Sequence, residues 1–514
     1  MRRNSGGVRL TERLSAVVSG VLTTVVLCTN GAAAQETTYD LVLTNGRVMD
    51  PESGLDAVRN VGVSNGRVAV ITTAPLQGEE ILDLGGLVVA PGFIDLHTHG
   101  QDHESRLFQA RDGVTTALAL EDGVYPVARW YASWAGKSII NYGATVGHIA
   151  VRIRLKHGLD VGHYPTNTDW LTESAELTNF ATSTLGVDEI SEMLALIERG
   201  LSEGGLGIGI GVEYTPGASR EEVFRLFQLA SRRDAPVFAH VRHGGVDEPK
   251  TGVGGMQEVI ANVAATGVSL HIVHLPSMGG RDTPVILEMI DGASARGFDV
   301  TTEVYPYTAW STFIESQLFA PGWQAYLGID YEDLEWARTG ERLSEETFEK
   351  YRREGGQVIG HGIPETAVDL AIAHPSVVIA SDGMPFGLGS AHPRGAGTFA
   401  RVLGVYVRER KKLTLMSALR KMTLLPAQRL ESYAPQMKLK GRLQVSADAD
   451  ITVFDPERVL DRATFEDPEQ YSQGIVHVLV AGTFVVRDEE LVQGIFPGQA
   501  VRREPELSGS SVRK

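Results

Sequence analysis

Between residues 93 and 382 the chain alternates short apolar runs with amphipathic stretches, and no other feature limits its fold as strongly. Eight segments read as strands: 93–99, 115–121, 144–148, 206–212, 236–241, 269–275, 299–305 and 377–382. Helical stretches at 187–201, 220–232 and 284–296 lie between them. Several strands are continuous apolar runs, as in a sheet covered on both faces. Eight strands alternating with helices predict an α/β fold of the TIM-like (β/α)8 barrel type.

Both ends of the chain have a different texture. Around residues 39–88, alternating runs flank Asn45-Gly46 and Asn65-Gly66, and near the C-terminus similar runs flank Ala481-Gly482. Such small or Asn-Gly pairs predict hairpin turns, since both turn residues need positive φ. The expected organisation is a signal peptide at 1–34, a small β-sandwich built from 35–89 and 436–501, and a barrel over 90–435. An insertion after the seventh strand covers about 308–358, and 502–514 form a disordered tail.

Arg2, Arg3, Arg9 and Arg13 precede a largely apolar run at 14–28, and Ala32-Ala33-Ala34 precede Gln35, the pattern of an export signal cleaved after residue 34. The apolar run is short for a membrane span. The expected location is therefore periplasmic or secreted, with no membrane attachment after cleavage. The single cysteine, Cys28, lies within the signal. The mature chain would have no disulfide, no cysteine nucleophile and no thiolate for a metal. A formal charge of −17 argues against a nucleic-acid partner, which needs a basic face.

Active sites of such barrels lie at the C-terminal ends of the strands. The first strand ends in His97-Thr98-His99, whose imidazoles project to one face. The second ends in Glu121, followed by Asp122. The fifth ends near His240, the sixth near His274 and the eighth in Asp382. Imidazole and carboxylate are ligand types that suit zinc and similar divalent ions, and buried ionisable groups are costly unless paired or metal-bound. His271, three residues before His274, faces the other way and reads as structural. His243 lies past the fifth strand, within possible reach of a substrate. His148, at the end of the third strand, reads as a residue that touches substrate or supports a ligand.

The run Ala90-Pro91-Gly92-Phe93-Ile94-Asp95-Leu96-His97-Thr98-His99 resembles the first-strand signature of the amidohydrolase superfamily. Further segments narrow the likeness to the N-acyl-D-amino-acid deacylases, or D-aminoacylases. They are 113–116, 147–152, Gly207 to Tyr214 (GIGIGVEY), 299–308, Ser381-Asp382-Gly383-Met384-Pro385, His392-Pro393-Arg394, and 421–427. The likeness covers roughly residues 39–500. It implies that His97 and His99 hold one metal position and that His240 and His274 hold a second. It also implies that Asp382 contacts the first metal and acts as general base and acid. Arg394, helped by Tyr305 and Ser311, would meet a substrate carboxylate. The implied cofactor is zinc, as one or two divalent ions, and the implied partner is a small molecule with a carboxylate.

Two departures from the family pattern stand out. The family's bridging ligand after the second strand is typically a cysteine, whereas here the segment reads Leu120-Glu121-Asp122-Gly123. Glu121, closer to the strand and longer in reach, is the expected replacement, although strict alignment favours Asp122. The family often has a lysine two residues after the sixth-strand histidine, where this chain has Pro276. Carboxylate recognition would then rest more on Arg394.

The expected activity is hydrolysis of the amide of N-acyl-D-amino acids, with metal-activated water as nucleophile. Hydrolysis of X-D-amino-acid dipeptide bonds is chemically close. A cyclic-amide hydrolase of the hydantoinase or dihydroorotase kind would commonly carry a carboxylated lysine at the fourth strand, which here has none. A non-catalytic barrel would be expected to have lost ligands. Trp310, Phe313, Trp323 and Tyr326 in the insertion either line an acyl pocket or form that insertion's own core.

Overall fold

A computed structural model describes residues 38–163, 179–386 and 392–505. The expected signal peptide, its expected cleavage site and Cys28 lie outside the described residues, as does the chain from 506. Among the described residues no helix is long and apolar enough to cross a membrane.

All eight predicted strands are present: β1 (Phe93–Asp95), β2 (Val114–Tyr125), β3 (Asn141–Gly147), β4 (Ile208–Gly211), β5 (Val237–His240), β6 (Leu270–Ile272), β7 (Val300–Val304) and β8 (Val378–Ile379). They pair in parallel and in sequence order from β1 to β8. The ring is drawn together where β8 meets β1: the Asp382 amide donates to the His97 carbonyl (2.8 Å) and the His99 amide to the Gly383 carbonyl (2.8 Å). Asp95 adds a side-chain clasp, accepting from the Ser381 amide at 3.0 Å and the Ser381 hydroxyl at 2.5 Å. The expected helices are observed as Val187–Ser202, Arg220–Arg232 and Thr283–Ser294. Ser219 caps the second, its hydroxyl accepting from the Glu222 amide.

Several strands stop short of their expected length. β1 ends at Asp95 and β8 at Ile379, so His97, His99 and Asp382 stand on the irregular chain just beyond. β2 instead runs past Glu121. Its pairing with β3 skips from Ala119↔Ala144 to Val124↔Val146, leaving 120–123 as a bulge. Bulges of this kind re-aim side chains beside functional sites.

The β segments of the two ends join in one nine-stranded sheet, in which Val88–Pro91 pairs with Ile451–Phe454. The strand Thr38–Asp50 pairs first with Gln77–Asp83 and then with Val88–Pro91, so the sheet divides around a core that includes Leu41, Leu43, Val61 and Val453. The insertion after β7 has a four-stranded sheet and its own core, in which Trp323 stacks on Phe348.

The three small pairs do not behave alike. Asn65-Gly66 (φ 52° and 72°) and Ala481-Gly482 (φ 47° and 75°) are hairpin turns, as their sequences predict. Asn45-Gly46 is not. The strand Thr38–Asp50 continues through it, with Asn45 at φ 59° and a register shift against Leu55–Ser64. Asp83 and Val88, brought alongside Thr44 and Arg47 by parallel pairing, give the chain a reason to run straight on.

Candidate active site

Glu121 sits at the centre of the site with its two carboxylate oxygens facing opposite ways. Oε2 lies 2.8 Å from His97 Nε2 and 3.1 Å from His99 Nε2. Asp382 Oδ1 completes that group, 3.3 Å from His97 Nε2 and 3.2 Å from His99 Nε2. On the other side Glu121 Oε1 lies 2.7 Å from His240 Nδ1 and 3.5 Å from His274 Nε2, and those two nitrogens are 3.1 Å apart. Both groups are buried.

Two glycines let the Glu121 backbone settle there. A Cβ on Gly209 of β4 would stand 2.1 Å from the Glu121 carbonyl oxygen, and one on Gly147 of β3 would stand 2.2 Å from that of Asp122. Thr145 Oγ1 donates to the Leu120 carbonyl at 2.8 Å and pins the same bulge. His274 (φ 30°) and Asp382 (φ 51°) both have left-handed backbones, which a β-run pattern does not announce.

Each imidazole is held by its outer nitrogen. His97 Nδ1 meets Glu303 Oε1 at 2.5 Å, and the other Glu303 oxygen takes His271 Nε2 at 2.9 Å. His99 Nδ1 meets Asp122 Oδ2 at 3.0 Å. His240 Nε2 meets Glu213 Oε2 at 2.9 Å, and Glu213 Oε1 accepts from the Tyr326 hydroxyl (2.5 Å) and the Gly244 amide (3.0 Å). His274 Nδ1 is 2.8 Å from Ser277 Oγ. This support fixes ring orientation and leaves the inner nitrogens converging, the usual architecture around a metal.

The donor set fits divalent ions. Ligands about 2.0–2.1 Å from a tetrahedral zinc stand roughly 3.3 Å from one another, close to the separations within each group. The charges agree. Burial opposes the imidazolium form of His97, but Asp382, Glu303 and Glu121 outweigh it and raise its pKa well above the ordinary value. The same contest, with Asp122 prominent, raises His99. His240 is raised to about 10 against burial by Glu121 and Glu213. Burial pushes Glu121 up, yet its imidazole neighbours hold it well below the usual carboxylate range. The centre thus favours positive charge at its heart.

The other expected residues fall into three places. Ser311 lines the pocket. Arg394 is buried behind it, with Nη1 2.9 Å from Asp382 Oδ2, Nη2 donating to the Ser311 carbonyl and the guanidinium 4.6 Å from the Tyr305 ring. Arg394 and Tyr305 therefore support Asp382 rather than stand on the open wall, because the nearest charge to satisfy is the Asp382 carboxylate. His148 is placed away from that wall. Its Nε2 pairs with Glu222 Oε1 (2.8 Å), which also takes Arg152 Nη1 (2.6 Å), in a fully buried cluster under the helix Arg220–Arg232. His148 thus corrects the expectation of a substrate contact: Glu222, three residues past the Ser219 cap, supplies its partner.

Above the centre lies a narrow pocket with two lobes. Both touch Tyr214, His274, Ser311 and Asp382. One adds Ser316, Thr312, Phe313 and Met384; the other adds Met278, Trp310, Leu318 and Leu327. The four aromatics of the insertion are therefore divided. Trp310 and Phe313 face the pocket, Trp323 packs in the insertion core, and Tyr326 reaches Glu213. Glu213, Glu303 and Tyr214 were not among the expected site residues, and Tyr326 was expected to line an acyl pocket or join the insertion core, not to hold Glu213. The two carboxylates stand at the ends of the fourth and seventh strands, where a scan of every strand end finds them. Tyr326 carries no local signal.

The description "Amidohydrolase family" matches residues 282–486. An N-acyl-D-glutamate deacylase of Alcaligenes xylosoxydans xylosoxydans is 29% identical over 92% of this chain and 98% of its own, and a D-aminoacylase of the same organism is 29% identical over 90% and 98%. The crystal structure of the N-acyl-D-glutamate deacylase of Bordetella bronchiseptica, complexed with zinc and a phosphonate inhibitor, superposes with a TM-score of 0.75 at 26% identity, covering 91% of this chain and all of that one. A D-aminoacylase structure gives 0.74 at 25% identity over 91% and 100%. Motif, barrel and these near full-length similarities agree: over nearly its whole length the chain is similar to amidohydrolases of the N-acyl-D-amino-acid deacylase kind.

Proposed function

We propose that the protein hydrolyses the linear amide of N-acyl-D-amino acids, releasing a carboxylate and a free D-amino acid, and that it does so after export and removal of residues 1–34. The observation that carries the reading is the Glu121 carboxylate set between two imidazole pairs at the floor of a pocket that can hold a small molecule. His97, His99 and Asp382 would hold one divalent ion, His240 and His274 a second, with Glu121 shared. Such an ion, zinc by analogy with the relatives, polarises a carbonyl and acidifies water.

The chain's own groups then divide the work. Asp382 turns Oδ1 to the imidazoles and Oδ2 to Arg394. Burial opposes its charge, but Arg394 and His97 keep it below the ordinary carboxylate value, so it stands ionised and ready to accept a proton from water. Once Asp382 is protonated at Oδ2, the neighbouring Arg394 guanidinium favours passing that proton to the amide nitrogen as the C–N bond breaks. Tyr214, its ring 4.7 Å from that of His240, walls both lobes of the pocket.

Purified protein supplied with zinc should release amine from N-acetyl-D-amino acids in preference to their L counterparts, and a chelator should stop the release. Equal rates for both series, or release that survives chelation, would refute the reading. For location, export should yield a chain beginning at Gln35, checked by N-terminal sequencing.

A further inference from the structure

A larger cavity of about 400 Å3 lies beyond the apolar lobe. It shares Glu213 and Leu318 with that lobe, so the two are neighbours across the same side chains. Its insertion-side wall is apolar, formed by Leu318, Ala320, Pro321, Trp323 and Tyr326. Two of its charged groups are already satisfied. Glu213 is bound on both oxygens by His240, Tyr326 and Gly244, and Arg242 is committed to Glu258 and the Ala218 carbonyl. His243, Lys250 and Gln317, with Pro216 and Gly322, complete its lining.

The other lobe is more polar, lined by Glu121, Asp122, Thr312 and Ser316 among others. Ser316 Oγ, and Ser311 Oγ between the two lobes, are buried without a hydrogen-bond partner among the described residues, while Thr312 Oγ1 donates to the Tyr214 hydroxyl. Buried hydroxyls left open in this way suit a polar, charged half-molecule. An acetyl group fills little beyond the small apolar lobe and would leave the outer cavity empty, and cavities of that size ordinarily hold larger groups.

Resting on the deacylase reading, we infer that the amino-acid half of the substrate occupies the hydroxyl-lined lobe. The acyl half occupies the apolar lobe and extends past Leu318 into the outer cavity. The preferred substrates are then N-acyl-D-amino acids with medium-length aliphatic acyl groups rather than acetyl. Each methylene taken from water is worth about fourfold in binding at full burial, equivalent to ~0.8 kcal/mol.

The test compares N-acetyl-, N-butanoyl-, N-hexanoyl- and N-octanoyl-D-alanine on the zinc-supplied enzyme. The expected result is a rise in kcat/KM of about two- to fourfold per methylene. Ala320→Trp, which fills the outer cavity only, should remove the octanoyl advantage and leave acetyl turnover within about twofold. A flat or falling profile, or one that follows the amino-acid side chain instead of the acyl chain, would overturn the inference. Titration of octanoate into wild type and Ala320→Trp, followed by calorimetry, separates the two claims. If no N-acyl-D-amino acid is cleaved, the deacylase reading fails. Saturable octanoate binding lost in the variant still upholds the acyl cavity, and absence of binding to wild type rejects it.

Discussion

Glu121 and Asp122 are adjacent in the chain, yet one carboxylate faces the inner nitrogen of His99 and the other its outer nitrogen. The bulge at 120–123 allows this, since neighbours on a regular strand would point to opposite faces. Their roles differ accordingly: Glu121 joins the two groups and Asp122 orients a ring. Asp382→Asn should keep the geometry but lose the proton carrier, lowering kcat by about 10²–10⁴-fold with an unchanged circular dichroism spectrum. Tyr326→Phe removes the hydroxyl that donates to Glu213 and so loosens the hold on His240. Zinc affinity at the His240–His274 position should fall by roughly tenfold, read as metal retained per chain after dialysis.

At the level of strands, the run Gly207 to Gly211 illustrates how a segment can look purely structural and still set the chemistry. Gly209→Ala would drive a methyl into the Glu121 carbonyl, so the bulge must shift. The expected outcome is a loss of about 1–3 kcal/mol in urea unfolding together with a fall in kcat. The strands themselves were legible because burial on both faces writes an uninterrupted apolar run. His97, His99, Glu121, His240, His274 and Asp382 were legible because each stands at or just past such a run. What was hidden depends on partners remote in sequence. His148 looks like a substrate contact until Glu222 is brought to it, and Arg394 looks like a free cation until Asp382 is. Asn45-Gly46 looks like a turn until a parallel neighbour arrives. Tyr326 becomes part of the site only because the insertion folds back over Gly244.

Across the whole molecule, the C-terminal helical layer is tied to the strand that delivers Asp382. Lys421 is buried, and its ammonium donates to the carbonyls of His374 and Val377, just before β8. Burial, with a smaller contribution from Arg420, lowers its pKa to about 7. Between that value and the ordinary lysine range the unfolded chain holds a proton that the folded chain does not. Raising the pH through that window therefore favours the folded state. Unfolding free energy should rise from pH 7 to 10 in wild type, and Lys421→Met should flatten the rise in parallel denaturant titrations. The composition of the catalytic centre carries a different consequence. Imidazoles and carboxylates alone converge there, and the described residues contain no cysteine. Peroxide and thiol-alkylating reagents consequently find nothing to attack among the groups that would grip the metal. The nearest oxidisable atoms are the thioethers of Met278 and Met384 on the pocket walls, whose conversion to sulfoxides would alter substrate fit and leave the chemistry itself intact.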